Sequence, residues 1–482
     1  MLSNQRFHTR IHFYLICSLF FLSETNARIW YIGPTRPEKN WWTIQAQVNS
    51  GDTISIDSAL YEDVPQVVWR QNRLLIKSTS GFPVLRAGNK IATDQSNGKG
   101  IFVIAGNHCI IRSLHFQNCK VVDHNGAGIR LEGKNIMIQQ CIFSDNEMGF
   151  LCGAIDSCSV HMEQCYFKQN GSEMNPGYQH NIYVGHIDTF SLKYSTTIDA
   201  NAEGHELKSR AKFNFVAYNY IGNIASNDSR NIDIPNGGIS IFIGNIIEQG
   251  NFSANNNLLG YGLEGLSNKA PHQVYLVNNT LINKKNKGNF IQVANGTEKL
   301  FAKNNFFGGT ITGGLINGSI SMLDTAANRI FANLNDAQFR DVANGDYNLT
   351  QNSPLIDQGI IILDSIGSYY LRPDHSFIPD TNYTSRRLDT KPDIGAYEMS
   401  FPLKIPDHPY FQKKSGILLV GNEWSFTPDK SGDLLMISDL QGHTIFNKIF
   451  KDKNSETINL ADFPTGLYYY VSSAQTGIIF KN

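Results

Sequence analysis

One short motif recurs along most of this 482-residue chain and limits what it can fold into. A polar residue is followed, in most copies, by Asn, Cys or Thr and then by two residues, the second apolar. The copies end at Phe116, Phe143, Phe167, Ile198, Ile221, Ile247, Leu281 and Phe307, with longer steps before Ile198 and Leu281. The period is ~25 positions, within the range of solenoid repeats. Around the copies apolar residues alternate over four to six positions, the strand period, and not at the 3.6-residue period of helical repeats. Strands recurring at this interval without helices between them predict an all-β solenoid of parallel strands, each coil burying its inward residues on its neighbours. The second motif position reads Cys141, Cys165, Thr196, Asn219, Asn245, Asn279 and Asn305. Identical buried amides can bond up and down such a column, so these residues are expected to be structural.

Composition fits this reading. Gly is 41 residues against 16 Pro, and 41% hydrophobic residues can fill a core. Lys+Arg number 41 and Asp+Glu 42, and this balance argues against a nucleic-acid partner, which favours a basic surplus. At the N-terminus, Arg6 and Arg10 precede an apolar stretch from Ile11 to Leu22, too short to span a bilayer. Thr25-Asn26-Ala27 then offers small residues at the −3 and −1 positions. Residues 1–27 are therefore expected to be a signal peptide, with no membrane span left after its removal and a secreted or cell-surface destination. Cys17 falls inside this stretch. The other six cysteines, Cys109, Cys119, Cys141, Cys152, Cys158 and Cys165, crowd into one short part of a long chain. Buried thiols are expected at Cys141 and Cys165, while Cys152 with Cys158 could form a disulfide.

With Trp42-Thr43-Ile44-Gln45, Gly51-Asp52-Thr53-Ile54, Ser353-Pro354-Leu355-Ile356-Asp357 and Pro392-Asp393-Ile394-Gly395-Ala396-Tyr397-Glu398 added, residues 28–400 resemble the right-handed parallel β-helix superfamily of pectate-lyase-like proteins. That superfamily holds lyases, hydrolases, epimerases and adhesins, so the resemblance implies fold more than function. Past residue 400 the repeat stops. Pro402, Pro406 and Pro409 mark a linker over 401–415. Residues 416–482 read as about seven short strands in a small β-sandwich. Ile437-Ser438-Asp439-Leu440-Gln441-Gly442, Phe463-Pro464-Thr465-Gly466-Leu467-Tyr468 and Ile479-Phe480-Lys481-Asn482 resemble the C-terminal sorting domain of the Bacteroidota type IX secretion system, which implies that machinery as a partner. A carbohydrate-binding sandwich is the rival reading.

On a solenoid the chemistry sits on outward side chains at i and i+2. In His205-Glu206-Leu207-Lys208-Ser209-Arg210, the residues Glu206, Lys208 and Arg210 are expected to share the outer face, with His180, Asn181 and Tyr183 on the preceding coil and Asp233 on the next. Leu207 lies midway between Ile182 and Ile232, one repeat interval from each, so the three should stack. Extending that register predicts one outward column of Arg130, Asp156, Tyr183, Lys208, Asp233 and Glu264. For His205, alternation points inward instead, and a solvated salt-bridged face is the plain alternative for the charges. The ridge suits an acidic polysaccharide. Cleaving a uronate polymer by β-elimination needs a grip on the carboxylate, which Arg210 offers, and a base, for which Lys208 beside Arg210 is the candidate. Tyr183 or His180 would return the proton. The Lys208 and Arg210 pair resembles the basic pair of β-helix uronate lyases. Its like charges at i and i+2 are expected to be relieved by a bound anion, and both, as outward residues, to matter little for stability. A glycoside hydrolase would use Asp233 with Asp156 or Glu264. A uronate C5-epimerase or a non-catalytic glycan-binding adhesin also stays open. So does calcium, for which Asp228, Asp233 and Glu264 would supply hard oxygens.

Overall fold

The computed structural model describes residues 27–94, 98–386, 391–399, 417–439, 444–472 and 476–481. Of the expected signal peptide over 1–27, residues 1–26 lie outside them, as does the expected linker over 401–415. Two compact units divide the chain, 1–400 and 401–482.

The first unit is a parallel β-solenoid with three faces, sheets of 12, 11 and 10 strands. One coil runs from Ala127–Leu131 on the third sheet to Ile136–Gln139 on the first and Ile142–Ser144 on the second, then rises to Met148–Cys152 on the third again. The corner between first and second sheets is a single residue with positive φ, such as Gln140 (54°), Gln164 (54°), Tyr194 (54°), Tyr218 (60°), Asn278 (52°) and Asn304 (58°). The residue after it begins the inward ladder. Asn245 shows the bonding: its Nδ2 donates to Asn279 Oδ1 at 2.9 Å and to Val216 O at 2.8 Å, while its Oδ1 accepts from Asn219 Nδ2 at 2.9 Å. The ladder runs Asn219, Asn245, Asn279, Asn305 and on to Asn328. Thr196 is not in it. Tyr166 pairs with Thr196, so Ser195 takes the column position, donating its backbone N–H to Asn219 Oδ1 and accepting from Cys165 N. The expected frame was one position late there, because the corner is Tyr194.

On the third sheet Ile129, Phe150, Ile182, Leu207, Ile232, Leu259 and Ile291 form one inward column, all fully buried. Phe116, Phe143 and Phe167 stack inside with centroids 5.2 and 4.5 Å apart. All six described cysteines are free and buried. The Cys152–Cys158 disulfide is thus not formed; both thiols face the apolar core, and burial pushes that of Cys152 up to about 12.

After Arg329–Phe331 the chain folds back over the solenoid's outside. Phe339, Tyr347, Leu355 and Phe377 pack with Ile246, Ile282 and Phe306 of the second sheet. Ile362 and Leu371 pack with Ile241, Tyr275 and Phe301 of the first. Ser353–Asp357 and Pro392–Glu398 meet through Ile394 N to Leu355 O (3.0 Å) and Asp357 N to Asp393 Oδ1 (2.7 Å). These clusters clothe two of the three faces.

The second unit has seven described strands in a five-stranded and a two-stranded sheet, with Trp424, Phe426, Leu435, Ile437, Phe450, Ile458 and Ile479 among its core. Among the described residues no helix is long and apolar enough to cross a membrane.

Candidate active site

The third sheet's outer face carries the ionisable cluster, and pairing fixes its register. Arg130 aligns with Leu151, Tyr183, Lys208, Asp233, Gly260 and Gln292 in successive coils. Arg130, Tyr183, Lys208 and Asp233 therefore share a column, whereas Asp156 and Glu264 do not. Asp156 lies exposed in the turn after Met148–Cys152, and Leu151 takes its place, packing with Met148 and Tyr183 and separating Arg130 from the cluster. Glu264 lies beyond Asn257–Tyr261, where Gly260 holds the column position. The even spacing misled because loop lengths, not strand positions, produced those intervals. At Gly260 a Cβ would stand 3.0 Å from Asp233 Oδ1 and from Arg230 Cδ, so glycine leaves room for that pair.

Glu264 reaches the cluster from its loop. Its Oε1 accepts from Lys208 Nζ and its Oε2 from Arg210 Nη2, both at 2.6 Å. Burial opposes its ionisation, but the hydrogen bonds from Lys208 and Arg210 outweigh this and hold its carboxyl down at about 2. Backbone bonds from Glu264 N to Pro235 O (3.0 Å) and Asn268 N to Asn236 O (3.1 Å) pin the loop. Arg210 also donates through Nε to the Tyr183 hydroxyl (3.0 Å) and through Nη1 to Asn236 Oδ1 (2.6 Å). The two cations thus do meet an anion, but it is the chain's own.

Beneath them lies a buried tier. Asp233, 2% exposed, has Oδ2 3.3 Å from Lys208 Nζ and 3.5 Å from His205 Nε2, with Arg230 Nη1 3.6 Å from Oδ1. Burial pushes its carboxyl up against the pull of Lys208 and Arg230. His180 and His205 stack at 5.0 Å, and His180 Nδ1 accepts from His205 N at 3.0 Å. Burial, with the nearby cations, drives both imidazoles well below their ordinary range, so they are neutral. His180, 2% exposed, cannot reach a substrate oxygen from there. Lys208 itself is only 8% exposed, so the idea that its loss would cost little stability fails: removing it strands the buried Asp233. Asp233 is likewise too buried to flank a glycosidic bond, which removes the carboxylate pair a hydrolase would need.

Asn181 and Glu206 are turned inward, both 0% exposed. They end a second polar column at the corner between second and third sheets: Asn146 Nδ2 donates to Asn170 Oδ1 (3.0 Å), Asn170 Nδ2 to Asn181 Oδ1 (2.7 Å) and Asn181 Nδ2 to Glu206 Oε2 (2.5 Å). Glu206 lies just before the strand Leu207–Ser209, so i, i+2 alternation does not govern it. Asp228 is also interior, so it cannot share an outer cation site with Asp233 and Glu264, whose carboxylates are held by Lys208 and Arg210. Sequence reasoning missed Asn236 and Arg230, although they follow Arg210 and His205 by one repeat interval each. That interval was the available signal.

What the cluster can do is hold a carboxylate between two cations beside a phenol, on the face that the returning segment leaves free. No family model matches the chain, and no curated protein matches it. Among solved structures it is similar to the pectate lyase Pel9A, at TM-score 0.52 and 13% identity, over 78% of this chain and 97% of that one. A mannuronic acid specific polysaccharide family 6 lyase from human gut microbiota aligns at TM-score 0.32 and 8% identity, over 66% and 90%. The first likeness is one of fold.

Proposed function

We propose that this protein is an exported polysaccharide lyase that cleaves a uronic-acid polymer by β-elimination on the third sheet. The observation that carries the reading is the Glu264 carboxylate bridging Lys208 and Arg210: the gap between them has the size and charge for a substrate carboxylate. The uronate carboxylate displaces the Glu264 side chain and is gripped by Arg210, which Asn236 and Tyr183 orient. That places the carbon bearing it beside Lys208. Lys208 first passes its ammonium proton to the buried Asp233 carboxylate, 3.3 Å away. The neutral amine then takes the proton from that carbon, the C–H electrons form the C=C bond, the neighbouring C–O bond breaks, and Tyr183 protonates the leaving oxygen. The pectate lyase of similar fold is consistent with this chemistry. Its likeness does not choose the polymer.

The test is incubation of purified protein with pectic, alginate and glycosaminoglycan polymers, following ultraviolet absorbance of the unsaturated uronyl product. Lys208→Ala should lose ~10²–10⁴-fold in turnover per folded molecule. Arg210→Lys should raise KM, because an ammonium lacks the planar fork that bonds Tyr183 and Asn236 while a third nitrogen holds the carboxylate. New reducing ends without the absorbance would overturn elimination, and binding without either product would favour an adhesin.

A further inference from the structure

Inside the solenoid, behind the active face, a set of buried oxygens has no donor. Asp228, 0% exposed, uses Oδ1 to accept from Asn223 and Ser253, yet its Oδ2 has no partner. Asn231, one coil above Glu206 in the inward column, spends its Nδ2 on Glu248 O at 2.9 Å and leaves Oδ1 unpaired. Gln249, the next residue after Glu248, gives its Nε2 to Asn255 O and leaves Oε1 unpaired. It also stacks over Asn223, the residue that holds Asp228. Glu206 has donors on both oxygens, Ala200 N on Oε1 and Asn181 Nδ2 and Thr197 Oγ1 on Oε2. It nevertheless lies near enough to Asp228 to oppose its ionisation, and Asp199 adds a third carboxylate. Lys285 is the ammonium acting on Asp228, and its Nζ donates to Ser253 O.

Buried acceptors without donors are costly, and buried like charges more so. A single proton or water can satisfy one or two of these atoms but does not balance three carboxylates against one ammonium. A hard cation does both, since it takes carboxylate and amide oxygens together. We infer that the corner formed by Glu206, Asp228, Asn231 and Gln249 is a buried structural site for a divalent cation of the calcium class. Among the described residues no three His, Cys, Asp or Glu side chains gather as a metal cluster; this set draws half its oxygens from amides. The inference is independent of the lyase reading, because the site faces the interior.

The experiment measures calcium by plasma mass spectrometry in the purified full-length chain after gel filtration in calcium-depleted buffer. One ion per chain should be retained, and prolonged chelation should lower the melting temperature by several degrees. Asp228→Asn should lose the ion. If that variant does not fold, Gln249→Met, which changes no charge, should still weaken retention, whereas Glu264→Gln should keep the full ion content. Wild-type protein without bound metal overturns the proposal; a Glu206→Gln variant then melting at or above the parent identifies a proton as the occupant. Retention that neither interior variant alters also overturns it.

Discussion

At the scale of single residues, the site depends on which groups are charged. Glu264 is held ionised by Lys208 and Arg210, so its contribution is present above the ordinary carboxylate range and is lost only as pH falls through about 2. Glu264→Gln should therefore lower KM for the polymer roughly tenfold, a change of about 1.4 kcal/mol. The ratio of variant to parent should stay constant from about pH 4 to 8; a pH profile of kcat/KM checks both. His180 and His205 behave oppositely in sign to groups that gain a partner on folding. Their folded values lie below the unfolded value near 6.5, so the stability they allow is present above about pH 6.5 and is lost as pH falls through the folded values. Thermal melts should thus fall steadily below pH ~6.5, and His180→Asn, whose Oδ1 can take the bond from His205 N, should flatten that fall. Residue identity was legible in the sequence here: Tyr183, Lys208 and Arg210 do converge. Glu264 was chosen for a wrong column yet reaches the cluster through a loop, and no period reports where a loop side chain lands.

At the scale of the coil, the amide ladders fix register. Asn279 accepts from both the backbone N–H and Nδ2 of Asn245, and donates to Phe242 O and Asn305 Oδ1. Asn279→Leu would leave those partners buried and unpaired, at a cost of about 3 kcal/mol or more, measurable by denaturant unfolding. A cost near zero would mean the ladder is incidental. This column was readable because side chain and period coincide. The second, Asn146–Asn170–Asn181–Glu206, was not, because two of its members, Asn170 and Asn181, come from one long loop and its fourth is a carboxyl. The frame slipped at Ser195 for a related reason: a Thr-Thr pair mimics the motif one position late, and only the positive φ of Tyr194 marks the true corner.

At the scale of the molecule, two units each hold a core of their own. Deleting 401–482 should leave the solenoid's circular dichroism and melting unchanged. We propose that the second unit directs type IX export, so the shortened protein should accumulate inside the cell while full-length protein reaches the surface; equal delivery would refute that role. The solenoid class and the parallel stacking of its strands followed from the repeat. That the returning segment would clothe two faces and leave the third did not, since residues 332–399 carry no repeat from which to read their partners.

The carboxylate seated between Lys208 and Arg210 makes ligand capture an exchange and not an addition. On the proposed function, an arriving uronate would gain only the difference between its own grip and that of Glu264, while a neutral sugar would gain nothing for evicting it. Such a site would reject uncharged glycans without any steric barrier, hold acidic ones loosely enough to let product go, and keep its two cations partnered between turnovers. Raising the salt concentration weakens incumbent and newcomer alike, so affinity for an acidic glycan should change little while its margin over neutral ones narrows as ionic strength rises.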